Sequence, residues 1–442
     1  MSVRLFDVLV TTEKLDAVFS DEALIAAMVR FETALARAEA AHDVIPREAA
    51  EAISRSLAEA TFDVQAIASA ARRSGTIAVP FVEMIRLDVR ATEPSAAIYV
   101  HWGATSQDVT DTAMALCLMD ARGIIDADHQ RLASGLRQLS DAHASTVMLA
   151  RTLLQPAVPT TFGLKVAGWY ASVQRAYRHM DAAFEDARVL QLGGPAGTLA
   201  SLGDSGLDVT DSIAAALQLE VPAAPWHTHR DRLASLVGAC GVYAGTIGKI
   251  ARDISLLMQH EVGEASEPGG GSSSMPHKRN PAGCAIAIAA SHRLPGLVAA
   301  FLSAMLQEHE RAVGGWHAEA SIVSESVQAT GSAAAAMADV VEGLTVDAER
   351  MAANLRATNG TVYAERAMTL LTPQLGTRLA SWIVADALAM AAQPGTSFRD
   401  ALAANEQARE ALGAALTTLD EPESYLGSSE HFRRRLLNTA ND

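Results

Sequence analysis

The chain is poor in cysteine, in aromatic rings and in positive charge. Its three cysteines among 442 residues, Cys117, Cys240 and Cys284, stand isolated and far apart. So sparse and odd a set makes no disulfide framework and fits a reducing compartment. None sits at metal-ligand spacing, so each reads as a small core residue, and no metal site is expected. Aromatics amount to 5% of the chain while alanine and leucine abound, a balance that favours helices over sheets. Lysine and arginine total 35 against 51 acidic residues, for a formal net charge of −16. A field of that sign repels nucleic acid and acidic membranes, so neither is expected as a partner. Solubility alone accounts for most of the acidic surface. No uninterrupted apolar run of about 18 residues occurs, which argues against a membrane span. The first ten residues include Arg4 and Asp7 and lack the apolar h-region of a secretory signal, so a cytoplasmic location is expected.

What is present is helical periodicity on a large scale. Leu24, Met28, Phe31, Leu35 and Ala38 recur three and four apart between residues 21 and 60, and Pro46 is placed to open a second helix. A longer seam runs through Leu233, Leu236, Cys240, Tyr243, Ile247, Ile250, Ile254 and Leu257. It predicts a helix over 230–264, more than about 45 Å long. Residues 111–146, 160–191, 283–311 and 318–345 read similarly. Five long helices with narrow apolar seams predict an all-α bundle whose length suits assembly with other bundles. At this length two or three domains are expected: a helical unit over 1–110, the long-helix bundle over 111–350, and a small helical unit over 351–442. Residues 192–229, richer in Gly and Pro, read as a connection.

The most distinctive segment is 269–281, Gly-Gly-Gly-Ser-Ser-Ser-Met-Pro-His-Lys-Arg-Asn-Pro. Three glycines give backbone freedom. Three serines supply hydroxyls beside free N–H groups, Lys278 and Arg279 supply charge, and two prolines stiffen the exit. A mobile loop that closes on an anion and moves a proton needs these parts. A plain Gly/Ser linker is the alternative, and the two prolines and the His-Lys-Arg-Asn cluster fit it poorly.

This segment resembles the signature loop of the fumarase/aspartase superfamily, Gly-Ser-Ser-x-Met-Pro-x-Lys-x-Asn-Pro, matched here at every fixed position from Gly271 to Pro281. A second family segment is similar to His101-Trp102-Gly103-Ala104-Thr105-Ser106-Gln107-Asp108, and a third to Arg151-Thr152-Leu153-Leu154-Gln155-Pro156-Ala157. The resemblance extends over essentially the whole chain. It implies an all-α homotetramer on a twenty-helix core, each active site shared by three subunits. It also implies a small polycarboxylate substrate and no cofactor.

Members of the family make or break a bond beta to a carboxylate, with a serine of the loop moving the alpha proton. That serine maps onto Ser272, six residues before Lys278, with Ser273 its near competitor and Ser274 a flexible-loop residue. A serine alkoxide needs backbone N–H groups and a nearby cation. By the resemblance Lys278 and Asn280 clamp the substrate carboxylate, and Thr105, Ser106, Thr152 and Ser273 donate to it. His101 is a further carboxylate contact, and His229 stands where related lyases place a substrate-contacting glutamine. Taken alone, Thr105-Ser106 before Gln107-Asp108 is also an ordinary helix N-cap, and Asp108 is read as that only.

Lyases that expel an amine or hydroxide carry Thr-His where this chain has Thr152-Leu153, and leucine transfers no proton. Either another residue is the acid, with His143 first in line against a plain surface role, or the leaving group needs none. A carboxylate needs none, its conjugate acid having a pKa near about 4. The subfamily lacking this histidine comprises the bacterial carboxymuconate cycloisomerases, which close a lactone. The turn Leu192-Gly193-Gly194-Pro195-Ala196-Gly197 and the run Gln307-Glu308-His309-Glu310-Arg311 resemble that subfamily too. Adenylosuccinate lyases share Met-Pro-His-Lys-Arg-Asn-Pro but carry a phosphate-binding arginine where Ala320 stands here. A nitrosuccinate-type lyase also fits, since nitrite leaves unprotonated. A non-catalytic, crystallin-like protein of the same fold is the alternative of another class.

Overall fold

The computed structural model describes residues 5–271 and 274–438. Among the described residues the fold is all-α apart from two small two-stranded sheets, one a hairpin and the other joining residues 265–266 to 345–346. In chain order the helices are α1 (Glu13–Val18), α2 (Asp21–Ala41), α3 (Arg47–Glu59), α4 (Val64–Ser74), α5 (Ala78–Thr92) and α6 (Ser106–Ala142). Strands β1 (Val147–Thr152) and β2 (Gln155–Thr161) follow, then α7 (Phe162–Asp186), α8 (Gly206–Leu217) and α9 (Asp231–Leu257). Next come β3 (Ala265–Ser266), α10 (Ala282–Ala304), α11 (Gly315–Glu342) and β4 (Thr345–Val346). The chain ends in α12 (Ala348–Arg356), α13 (Ala364–Ala391), α14 (Phe398–Ala404), α15 (Glu406–Leu412) and α16 (Ser429–Asn438). It divides into two compact units: Met1–Gln130 with Ala176–Lys249 and Ile286–Ala336, and Arg131–Arg175 with Ile250–Ala285 and Met337–Asp442.

In the first unit the Ser20 hydroxyl caps α2 by accepting from the Ala23 N–H, as a short polar N-cap does. Met28, Phe31, Leu35 and Ala38 are buried along one face of α2, as their spacing predicts, while Leu24 is partly exposed. Pro46 stands at the N-cap of α3, just ahead of its first residue. The Asp63 carboxylate accepts from two N–H groups at the start of α4, and Gly75, with φ +74°, ends that helix.

All eight residues of the long seam on α9 are buried. The first five belong to the first unit and the last three to the second. The helix stops at Leu257 and does not reach residue 264. The chain turns through Gly263 at φ +63°, and the Glu264 N–H donates back to the Leu257 carbonyl. At 27 residues α9 is about 40 Å long; the longest helix is α6, 37 residues and about 55 Å.

The second unit holds what the periodicity missed. β1 and β2 pair antiparallel from Val147 opposite Thr161 to Thr152 opposite Gln155, with an irregularity near Leu149 to Arg151. Pro156 and Pro159 lie in β2, where the two-stranded sheet leaves an edge that needs no donor. Towards the C-terminus α13 is interrupted at Gly376 (φ 75°, ψ 156°), three residues after Pro373. Ala367, Leu371, Ala380, Ile383 and Phe398 close a small separate core there.

Candidate active site

In the first unit the site is built on the N-terminus of α6. The Asp108 carboxylate is fully buried. It accepts from the Thr105 N–H at 3.0 Å, which closes a reciprocal cap with the bond from the Asp108 N–H to the Thr105 carbonyl. It does more than cap, contrary to the expectation: it also accepts from the N–H groups of Gly193 (3.2 Å) and Gly194 (2.9 Å) and pairs with His227 Nε2 at 2.7 Å. The 192–197 turn is therefore pinned against Thr105. Both glycines are required by close approach. A Cβ at Gly193 would stand 2.7 Å from Pro225 and 2.8 Å from His227, and one at Gly194, already at φ +70°, 2.7 Å from the Gly103 carbonyl.

Arg311 ties the same corner from the other side. Its guanidinium donates to Thr105 Oγ1 at 2.8 Å and to the carbonyls of Gly194 (3.3 Å) and Pro195 (3.0 Å). Because Thr105 Oγ1 accepts from a cation, its own proton is left to donate, which is what a carboxylate contact needs. His101 adopts φ +60°. Its Nδ1 lies 2.5 Å from Glu32 Oε1, with both side chains largely buried. Burial alone would lower the His101 pKa, but the Glu32 charge and hydrogen bond, helped by Asp108, raise it above the ordinary histidine value. Ser106 is partly buried at the first turn of α6, and its carbonyl accepts from Thr110 Oγ1. His229 is exposed, its N–H bonded to the Trp226 carbonyl.

In the second unit the β1–β2 hairpin presents Thr152, exposed and paired with Gln155. Leu153 and Leu154 form its tip at φ +51° and +64°, a left-handed turn, and are 97% and 74% exposed. The hairpin is held by Arg151, whose guanidinium makes a two-pronged contact of 2.9 and 2.7 Å with the fully buried Glu264 carboxylate. Asn354 Nδ2 donates to the same carboxylate at 2.7 Å. His143 ends α6. Its Nδ1 lies 3.0 Å from Thr146 Oγ1 and its ring packs edge-on against Phe162. Burial depresses its pKa below the usual histidine value.

The signature segment also belongs to the second unit. Its neck is closed by the Asn280 N–H donating to the Gly270 carbonyl at 2.6 Å and by a bridge between Gly271 and Arg279. Gly270 is obligatory, since a Cβ there would lie 1.8 Å from the Asn280 carbonyl oxygen. The Glu267 carboxylate fixes the exit by accepting from the Gly283 and Cys284 N–H groups at the start of α10. Lys278 is exposed and Asn280 partly buried. Ser272 and Ser273 lie outside the described residues.

The structure thus joins Thr105 to Asp108 and Arg311, and Thr152 to the Arg151–Glu264 clamp. His143, His229 and Lys278 are engaged with Thr146, Trp226 and Met275, their neighbours in sequence, while His101 is held by Glu32 from 69 residues away. Sequence reasoning missed the organising roles of Glu32, Asp108, Glu264, Arg311 and Asn354. Their partners lie 69 to 206 residues away in most cases, and no local spacing signals such pairs. Among the described residues no group of three or more His, Cys, Asp or Glu is arranged to hold a metal ion.

The family model described as Lyase matches residues 7–296, and the chain belongs to this family, the fumarase/aspartase superfamily. Among curated proteins it is 45% identical over 428 residues to the 3-carboxy-cis,cis-muconate cycloisomerase of Bradyrhizobium diazoefficiens, covering 96% of this chain and 95% of that one. It is 42% identical over 427 residues to the nitrosuccinate lyase of Streptomyces davaonensis, covering 94% of this chain and 90% of that one. Among solved structures, the 3-carboxy-cis,cis-muconate lactonizing enzyme of Pseudomonas putida superposes with a TM-score of 0.93 at 38% identity over 99% of each chain.

Proposed function

We propose that this chain closes 3-carboxy-cis,cis-muconate to a carboxymuconolactone. One substrate carboxylate adds across a double bond of the same molecule. A C–O bond forms at one carbon, and a proton is delivered to the carbon beside another carboxylate. The observation that carries this reading is Leu153 at the exposed hairpin tip, where amine- and hydroxide-expelling relatives place a histidine. A ring carboxylate leaves, and by microscopic reversibility adds, without a proton donor at that position, because it is a weak base with a conjugate pKa near about 4. Near-full-length likeness to two proteins named for this reaction supports the same substrate.

Ser272 moves the proton, with Ser273 beside it. Lys278 and Asn280 hold a carboxylate, joined by Thr105, Ser106, Thr152, His101 and His229. His143 is the reserve acid; burial depresses its pKa and so disfavours the protonated form an acid needs, which weighs against that role. No metal or organic cofactor is required. The chain works as a homotetramer with shared active sites and three parts divided near residues 110 and 350. The bare Leu153–Leu154 tip supports assembly, as does α10: it is long and apolar enough to cross a membrane by composition, yet only 22% of its apolar stretch is buried. The same composition occurs in α9, which is half buried and carries the core seam. A cytoplasmic location fits three buried free cysteines.

Likeness to a nitrosuccinate lyase favours a second reading, since nitrite also departs unprotonated. Ultraviolet absorbance separates the two. Loss of the diene band with 3-carboxy-cis,cis-muconate, and no nitrite from nitrosuccinate, is expected. Nitrite release without lactonisation selects the second reading, and adenylosuccinate cleavage would sink both.

A further inference from the structure

Ser106, Thr110 and Met114 stand four residues apart on α6, so they form one stripe along a helix face. The last two line a cavity of about 470 Å³ within the first unit. Its floor is a buried ionic cluster: Arg230 Nη1 to Asp111 at 2.7 Å, Arg230 Nε to Glu319 at 2.8 Å, and Trp316 Nε1 to Asp111 at 3.2 Å. One guanidinium stands there against two carboxylates, and burial raises the Glu319 pKa, so the floor offers an anion no spare cation. The rim differs. Arg72, in the last turn of α4, lines the cavity with its side chain exposed and makes no hydrogen bond or ion pair among the described residues. His317 faces it beside Trp316, the two rings 4.9 Å apart. Both aromatic residues sit in the first turn of α11, a 28-residue helix whose positive end favours negative charge. A free guanidinium is conspicuous in a chain of net charge −16. The volume falls within the range of about 300–1,000 Å³ usual for small-molecule sites.

We infer that this cavity is the chamber for the body of a polycarboxylate substrate, and that Arg72, assisted by His317, holds the carboxylate farthest from Ser106. From Ser106 to Met114 the helix rises about 12 Å, enough to lay a six-carbon chain along the stripe. Ser106 then meets one end and Arg72 the other, while the wall of Leu233, Val323 and Ile77 excludes water from the carbon skeleton. The inference rests on the lactonisation reading for the identity of the substrate. Arg72 is thereby a specificity residue for the third carboxylate.

Tryptophan emission of the full chain, titrated with unreactive propane-1,2,3-tricarboxylate and with pentanedioate, tests it. The triacid is expected to change the emission, and the change is lost in Trp316→Phe. Arg72→Ala weakens the triacid about tenfold or more, as for one charged hydrogen bond, and the diacid less than about twofold. Arg72→Lys recovers part of the loss. In turnover, Arg72→Ala raises KM for 3-carboxy-cis,cis-muconate about tenfold with kcat little changed. No emission change, or equal weakening of both acids, overturns the inference. Lactonisation with an unmoved KM in Arg72→Ala overturns it too and leaves the reaction standing. Triacid binding as described, without any lactonisation by the native chain, supports the chamber and removes the reaction reading alone.

Discussion

Asp108→Asn is the substitution whose effect follows most directly from the geometry. The carboxylate has no solvent exposure and serves four donors: Thr105 N–H and Gly194 N–H on one oxygen, Gly193 N–H and His227 Nε2 on the other. An amide keeps one oxygen and turns an NH2 group towards the remaining pair. Whichever way it flips, two buried donors lose their acceptor and face another donor. At about 1–3 kcal/mol for each of the two buried groups left unsatisfied, the loss is on the order of 2–6 kcal/mol. That is a large part of the roughly 5–15 kcal/mol that holds a typical domain. Urea unfolding followed by circular dichroism should show the first transition at clearly lower denaturant. Arg311 grips the same corner through Thr105 Oγ1 and Gly194. Asp108→Asn and Arg311→Ala should therefore be non-additive, with a coupling of about 0.5–3 kcal/mol. Released from its cap, the Thr105 backbone drifts, and KM should rise more than kcat falls. A variant with native urea midpoint and native KM would refute the claim that this carboxylate organises the corner.

Four other outcomes are expected. Ser272→Ala should abolish most turnover while ligand binding survives, and Ser274→Ala should be far milder; equal small effects in steady-state assays mean the loop has been misassigned. Leu153→His should not accelerate lactonisation and His143→Ala should leave it normal, whereas a drop of roughly 10²–10⁴ in His143→Ala identifies that histidine as a general acid. The raised pKa of His101 stabilises the fold fully below the unfolded histidine value of about 6.5, and this contribution is lost as pH rises through the folded value. The urea midpoint should accordingly decline over that upper window, and Glu32→Gln should flatten the decline; an identical pH profile in the two proteins contradicts the pairing. Exhaustive chelation should leave activity intact, and rescue of a chelated, inactive sample by one metal ion would overturn the cofactor-free mechanism.

The sequence by itself determined the helices and the family signature of the loop. The three-and-four spacing from Leu233 to Leu257 reports a buried stripe because a helix repeats every 3.6 residues, so burial can be read from neighbours in the chain. The Gly-Ser-Ser-Ser-Met-Pro-His-Lys-Arg-Asn-Pro run was legible because its glycines, serines, lysine and asparagine stand within one segment. Tertiary structure decided the rest. Residues 147–161 became a hairpin because Leu153 and Leu154 accept a left-handed turn and β2 tolerates its prolines at an edge, a choice that local propensity does not make. Helix α9 ended at Leu257 because Glu264 folds back to be clamped by Arg151 and Asn354. Asp108 looked like a cap and proved to be a four-donor anchor, since Gly193, Gly194 and His227 reach it from 85 to 119 residues away. Buried polar groups must find partners wherever the chain brings them. Periodicity records which residues leave water, but the identity of each partner is fixed only when distant segments pack.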